Sequence, residues 1–436
     1  MRPMRSMDSG MDLNTLPVAS AHRRVVSLAA LTPVHRAFHW LHLHQPQMRQ
    51  WLLDAVSIPA PPFGERARGD WFAERFRALG LEDVHTDDEG NVLGQRRSSS
   101  DTPGAGVLLL SAHLDTVFPE GTICTPREEV SRILAPGACD NGAGLTALLA
   151  VAAALQFADI TLPVPILFAA NVGEEGEGDL RGMRHLFTQG PFRHRIAAAI
   201  TLEGAGSASA VTRALGSVRL RATVTGPGGH SWTDAGAPNP ILLLGRALLD
   251  AASVPFPTQP RTTFNVGQIT GGTSINSIPA SASALLDLRS THPAQMRASV
   301  AEICAAMREA IEDANAENAS QPRAELTLET IGERPAAALP EDSPLLETVR
   351  AVDRHLGLRT ELRIGSTDAN LPLSLGIPAL ALGGGGTGGG IHTLGEWYDP
   401  AGRETALRRI LLAVLDTAQQ IADGAFQPRE TALEQM

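Results

Sequence analysis

Three cysteines in 436 residues, Cys124, Cys139 and Cys304, are too few and too irregularly spaced for a disulfide scaffold or a cysteine-based zinc motif. They fit a reducing compartment, and the chain is read as cytoplasmic. Cys139, beside Asp140, is read as a small packing residue. Positive charge is also scarce. Lys and Arg number 36 against 47 Asp and Glu, and the net charge of −11 is interrupted by no basic stripe, which excludes a nucleic-acid partner. Long apolar runs are missing as well. No segment reaches the roughly 18 apolar residues of a membrane span, so no membrane partner is expected. The stretch VVSLAALTPV is too short for a secretory signal, because Pro33, His35 and Arg36 end it. The chain has no internal repeat.

What is present is an alternation. From Gly106 to Glu203 the pattern reads strand, helix (Ala143 to Phe157), strand (Val164 to Ala170), helix (Leu180 to Phe187), strand (Ala197 to Leu202). That order predicts an α/β fold with a mostly parallel sheet flanked by helices. Between Ser217 and Glu329 the pattern changes to period-two strands and two helices in the order β-α-β-β-α-β, which is that of a ferredoxin-like α+β domain. The α/β pattern then resumes with a helix from Ser343, the strand IPALAL and a helix from Gly402. The expected organisation is a poorly ordered N-terminal extension (1–44), a catalytic domain in two parts (45–215 and 332–427), an inserted domain (216–331) and a C-terminal tail (428–436). Met4, Met7 and Met11 leave the start residue open.

Metal-ligand side chains stand where apolar strands run out. His113 and Asp115 follow GVLLLSA, Glu174 and Glu175 follow VPILFAANVG, Glu203 closes AAAITLEG, and His392 comes after IPALALGGGG. In open α/β sheets, ligands bind beyond the carboxyl ends of the strands, so residues distant in sequence converge there. Two imidazoles and several carboxylates suit a pair of zinc ions, with cobalt or manganese left open. A pair of metals needs a shared carboxylate, and Asp140 in ACDNGAGL, just before a helix, is the natural bridge. His113 and Glu203 then complete one metal, and Glu175 and His392 the other. Asp115 is placed to orient the His113 imidazole. Glu174, left unligated, is placed to take a proton from water and pass it to a leaving amine. His35, His39, His42 and His44 sit at mixed spacing and are read as a solvated helix face. The run GGGGTGGG at 383–390 lacks the ending of a phosphate loop. It is read as a loop that lets backbone approach substrate before delivering His392.

Seven motifs, SAHLDTV, CDNGAG, VGEEGEGDLRG, TLEG, GPGGHS, GGTSINSIP and IHTLGEWYDP, occur in order across about residues 45 to 425. Together they resemble the co-catalytic zinc metallopeptidase family twenty, which includes peptidase T, carboxypeptidase G, aminoacylase and acetylornithine deacetylase, with the peptidase-T-like members most similar. The resemblance implies a zinc-exopeptidase-type fold, two zinc ions held as above, a homodimer formed through the inserted lid domain, and a cis peptide bond after Asp140. It implies that His230 stabilises the oxyanion, that Asn276 binds substrate, and that Arg334 in GERPAA binds a substrate carboxylate. Arg289 in LDLRS is the rival for that last role and is expected in a structural ion pair. The implied function is an aminopeptidase on short peptides, with a metal-bridging hydroxide as nucleophile and Glu174 as general base and acid. Two alternatives remain: the same chemistry on an N-acyl amino acid or a C-terminal residue, and a metal-bearing binding protein without catalysis. The retention of Glu174 argues against the last.

Overall fold

Seven consecutive buried residues, Val107–His113, form the strand on which the large sheet is centred. A strand covered on both faces reads as an unbroken apolar run, which is why VLLLSAH does not alternate. The computed structural model describes residues 17–98, 106–317 and 320–426. Among these, nine strands form one mixed sheet. Its middle is the parallel set Ile166–Asn171, Val107–His113, Ile196–Leu202 and Ala379–Leu382, in that spatial order. Antiparallel strands Glu82–Thr86 and Val92–Arg96 extend one side, and Ser209–Ala214 the other.

The chain goes from the 107–113 strand to the neighbour on one side, then returns to the neighbour on the other. The carboxyl end of the 107–113 strand is therefore the topological switch point, the place where such sheets open a crevice. Helices Gly142–Ala158 and Arg403–Ala422 pack against the 107–113 and 196–202 strands. The first is apolar nearly all round and buried along almost its whole length, as befits a central helix.

Strands Gly216–Thr225, Thr262–Gly271, Ser281–Ser290 and Glu325–Arg334 form a separate antiparallel sheet, in the order 262–271, 281–290, 216–225, 325–334. Helices Pro240–Ala252 and Pro293–Glu317 cover one face. Val218, Leu220, Ala222 and Val224, spaced by two, point into a core of their own with Leu286, Leu288, Ile303 and Met307. The fold is thus the α/β architecture with an inserted ferredoxin-like domain that the pattern predicts. Asn239 starts the first lid helix by accepting from the amides of Ile241 and Leu242, with Pro240 in the first turn.

One expectation fails. Residues 17–44, read as part of a poorly ordered extension although Thr32-Pro33 marks a helix start, form helices Pro17–Ala29 and Thr32–Leu43. Val25, Ala37 and Leu41 are fully buried, and the first helix packs on Pro344–His355 and Arg403–Ala422. The first helix finds its partners more than 300 residues away and the second packs chiefly on Gly142–Ala158, so burial drives ordering that local pattern alone does not reveal. Residues 1–16 and the tail 428–436 lie outside the described residues. Among the described residues, no helix is long and apolar enough to cross a membrane.

Candidate metal centre

Asp140 sits between two imidazoles, with one carboxylate oxygen turned to each. Its Oδ1 lies 3.2 Å from His113 Nε2, and its Oδ2 lies 3.2 Å from His392 Nε2. Glu203 Oε1 joins the first side at 3.4 Å from His113 Nε2, and Glu175 Oε1 the second at 3.0 Å from His392 Nε2. The ligand atoms of His113, Asp140 and Glu175 lie within 4.8 Å of one another, which makes them the one such His/Cys/Asp/Glu group among the described residues. The structure therefore brings together the five residues expected as metal ligands, with His113 and Glu203 on one side of Asp140 and Glu175 and His392 on the other. The bond between Asp140 and Asn141 is cis, as the resemblance implies.

The backbone explains the convergence. His113 ends its strand, and Glu203 follows the next one, its amide donating to Leu382 carbonyl oxygen at 2.8 Å. Asp115 is fully buried and accepts from the amides of Glu174 at 2.9 Å and Glu175 at 2.7 Å, one on each carboxylate oxygen. It thereby fixes the Glu174-Glu175 pair. It also approaches His113 Nδ1 at 3.5 Å, while its main-chain oxygen lies at 3.0 Å from that nitrogen. Asp115 thus acts on the imidazole and, beyond the sequence reading, on the acidic pair as well. His392 holds a positive φ of 63°, unusual for a residue with a Cβ, on the segment that brings its ring to Asp140.

The fit to a metal can be tested on the donor set. With its proton on Nδ1, facing the Asp115 carbonyl, His113 turns the Nε2 lone pair toward Asp140 Oδ1. That oxygen is buried and accepts no directed hydrogen bond. Two lone pairs facing each other at 3.2 Å suit a cation, and the nitrogen–carboxylate set suits a borderline ion such as zinc.

In the protein itself, protons stand in for that charge. Burial disfavours a charged His113, but Glu203, Asp115 and Asp140 outweigh it and hold the imidazole well above its ordinary value. Hydrogen bonds to Asp140 and Glu175 push His392 up to about 10. Burial pushes Glu203 up to about 8 against the pull of His113. At pH 7 His392 and Glu203 carry protons that a metal must displace, and His113 is shifted in the same direction, so metal affinity falls as pH drops. Calorimetry on metal-free protein at pH 7, in buffers of differing ionisation enthalpy, should show net proton release on Zn²⁺ addition. A buffer-independent heat would contradict this protonation pattern.

A pocket of about 250 Å³ opens over these groups, lined on the lid side by Ser217, Arg219, Arg289 and Arg334. Arg334, expected to meet a substrate carboxylate, is buried here and donates to Glu174 Oε1 at 2.8 Å and to the Glu174 main-chain oxygen. Arg289 is paired with Asp287 at 2.8 Å, the structural ion pair expected of it, yet it also lines the pocket. His230 and Asn276 lie together on the lid, where strand Gly229–His230 pairs with Ser277–Ile278. Both are exposed, and the structure places neither among the residues lining the metal pocket.

The glycine run serves protein packing. A Cβ at Gly383 would meet the Gly206 oxygen at 2.5 Å and one at Gly384 the Ala143 oxygen at 2.5 Å. Those glycines approach the backbone of the helix that follows Asp140 and of the loop that follows Glu203. His35, His39 and His42 are exposed, whereas His44 stacks on Trp40 at 4.4 Å. Cys139 is buried, and burial pushes its thiol up to about 12, as for an inert packing residue.

Three contributors carried no role in the sequence reading. Asn141 ties the Asp140 loop to the Glu203 strand through Leu202 and Gly204. Glu396 accepts from three amides of the 137–140 loop. Asp368, bonded to Asn171 at 2.8 Å, is raised to about 6 by burial. The signal for the first two was their place inside the motifs CDNGAG and IHTLGEWYDP.

The sequence model of Peptidase family M20/M25/M40 matches residues 109–417. "Uncharacterized protein YqjE" of Bacillus subtilis (strain 168) is 25% identical over 360 residues, covering 78% of this chain and 90% of that protein. Among solved structures, a tripeptidase from Staphylococcus aureus subsp. aureus mu50 superposes with a TM-score of 0.69 at 22% identity, over 86% of this chain and 99% of that one. Aminopeptidase PepT from Bacillus cereus ATCC 10987 gives 0.67 at 20% identity, with the same coverage. With the family match spanning most of the chain over the strands and loops that carry the five candidate ligand residues, this protein is a hydrolase belonging to Peptidase family M20/M25/M40.

Proposed function

We propose that the protein is a dinuclear metal aminopeptidase acting on short peptides. The observation that carries the reading is the Asp140 carboxylate, which gives one oxygen to the His113–Glu203 side and the other to the His392–Glu175 side, with Glu174 alongside. His113 and Glu203 would hold one ion, His392 and Glu175 the other, and Asp140 both. Two such ions supply Lewis-acid polarisation of the scissile carbonyl and lower the pKa of water. Glu174 is buried next to Glu175, and burial and the neighbouring carboxylates raise its pKa against the pull of Arg334. A carboxylate so raised suits proton uptake from water and delivery to the leaving amine near neutral pH. The tripeptidase and aminopeptidase that share the fold support peptide as substrate.

His230 lies outside the pocket, so its oxyanion role calls for lid closure or for the lid of a second copy. A homodimer through the lid is part of the reading. Its support is the edge strand Thr262–Gly271, exposed along most of its length, with Ile269, Leu242 and Leu249 open to solvent nearby. A one-chain mass by light scattering at micromolar concentration would remove it. The three free cysteines support a cytoplasmic site of action.

A second reading, hydrolysis of an N-acyl amino acid or of a C-terminal residue, draws on the arginines. With Arg334 engaged by Glu174, Arg219 and Arg289 share the single carboxylate of Asp287. The surplus positive charge suits a free substrate carboxylate. Amine release from a tripeptide, its N-acetylated form and its C-terminal amide separates the two. The aminopeptidase reading expects cleavage of the tripeptide and the amide and none of the acetylated form. Turnover of the acetylated form with dependence on the free carboxylate would replace it by the second reading.

A further inference from the structure

We propose that Glu396 is the positioning residue for the metal-bridging carboxylate, holding Asp140 through the backbone of residues 137–140. The proposal rests on the metal-centre reading above and adds a residue to it that touches neither metal nor substrate.

Glu396 is fully buried. Its Oε1 accepts from the amides of Cys139 and Asp140, each at 2.8 Å, and its Oε2 from the amide of Gly137 at 3.1 Å. Among the described residues it has no ion-pair partner. A buried carboxylate without a cation is expensive unless its lone pairs are met, and here three N–H groups meet them. Burial and the charge of Asp140 both raise its pKa, while the three amides oppose them. Placing one more negative charge behind a site already rich in carboxylates works against stability. Its retention there is accounted for by the one thing the charge does, which is to gather three amides of the loop that presents Asp140.

The connectivity says what is being aligned. Glu396 lies four residues after His392 on the same short segment, and that segment is folded into two turns and tied at Glu396 to the loop before Asp140. The Glu396 amide donates to Thr393 oxygen at 3.1 Å, the Thr393 amide to Gly390 oxygen at 3.0 Å, and the Ala135 amide to Glu396 oxygen at 3.1 Å. One segment therefore supplies the imidazole on one side of Asp140 and clamps the loop that carries Asp140. On the other side of the cis bond, Asn141 donates to Leu202 oxygen at 2.8 Å and accepts from the Gly204 amide at 3.0 Å, tying the loop to the Glu203 strand. Asp140 is thus held between two clamps. Glu396 sets it against His392, and Asn141 sets it against Glu203. A bridging ligand must satisfy both metal positions at once, and small displacements of its carboxylate are felt at each.

The chemistry of the clamp makes the effect graded. A glutamine keeps one acceptor oxygen, enough for Cys139 and Asp140, but turns an NH₂ toward the Gly137 amide, donor against donor. An alanine abandons all three amides.

The test is Zn²⁺ affinity by competition with a chromophoric chelator, on metal-free full-length wild type, Glu396→Gln and Glu396→Ala, with thermal melts of the metal-free proteins and kcat and KM at saturating Zn²⁺. The expected result is a loss of affinity of about 10-fold for Glu396→Gln, the lower end of the range for outer partners of metal ligands, and a larger loss for Glu396→Ala. Saturating Zn²⁺ should restore most of kcat in Glu396→Gln with KM nearly unchanged, and its metal-free melting temperature should stay close to that of wild type. Wild-type affinity in Glu396→Gln overturns the proposal, whether or not Glu396→Ala folds. So does a kcat deficit that excess Zn²⁺ does not repair. If wild type itself takes up no metal, the metal-centre reading fails instead, which the same titration shows separately.

Discussion

A Glu174→Gln enzyme is expected to keep its metals and lose about 10²- to 10⁴-fold in kcat, the range for removing a general acid–base group. At 1.36 kcal/mol per tenfold this is about 3–5 kcal/mol of transition-state stabilisation. The substitution is chosen for its shape. Glutamine fills the same buried volume, and its amide oxygen can still accept from Arg334, which bonds Glu174 Oε1 at 2.8 Å in the native protein. The backbone anchor is also retained, because Asp115 holds the residue through its main-chain amide at 2.9 Å. What disappears is the capacity to carry a proton. Metal content should therefore equal that of wild type, and KM should move little. Steady-state kinetics with elemental analysis on the same preparation decide the matter. Near-native kcat would show that the proton travels by another group, and joint loss of kcat and metal would show that Glu174 is itself a ligand.

Asp140→Asn should have the other large effect, through a different cause. The carboxylate faces His113 with one oxygen and His392 with the other. A carboxamide keeps one oxygen and sets an NH₂ against the second imidazole, so one of the two metal positions loses both a ligand atom and a negative charge. Elemental analysis should find one metal per chain or fewer where wild type holds two. Activity should fall by more than the roughly 10–100-fold typical of outer partners. Two tightly held metals in Asp140→Asn would mean that another carboxylate, Glu203 or Glu175, makes the bridge.

The parts legible in the sequence were those where local pattern and burial agree. VLLLSAH is apolar without alternation because the strand is covered on both faces, and its last residue falls at the sheet edge where a ligand belongs. The lid strands alternate because one face meets their own core. What the pattern hid depended on distant partners. Helix 17–29 carries a histidine and arginines among its apolar positions, and the surfaces of helices 344–355 and 403–422 make sense of Val25, while Leu41 lies on helix 32–43, which packs chiefly on helix 142–158. Arg334 reads as a substrate contact until the fold sets it against Glu174, 160 residues away in the chain. Glu396 was hidden for another reason. Its place inside IHTLGEWYDP was visible, but its partners are backbone amides, and a donor that every residue possesses does not say which loop the carboxylate will hold.

The most direct test of the central claim is stepwise reconstitution of the metal-free protein. Zn²⁺ would be added in fractions of an equivalent while hydrolysis of a tripeptide is followed. A shared Asp140 between two ligand pairs predicts that metal-free protein is inactive and that full activity is reached at two equivalents per chain. Full activity at one equivalent, or turnover by the metal-free protein, would contradict the two-metal account.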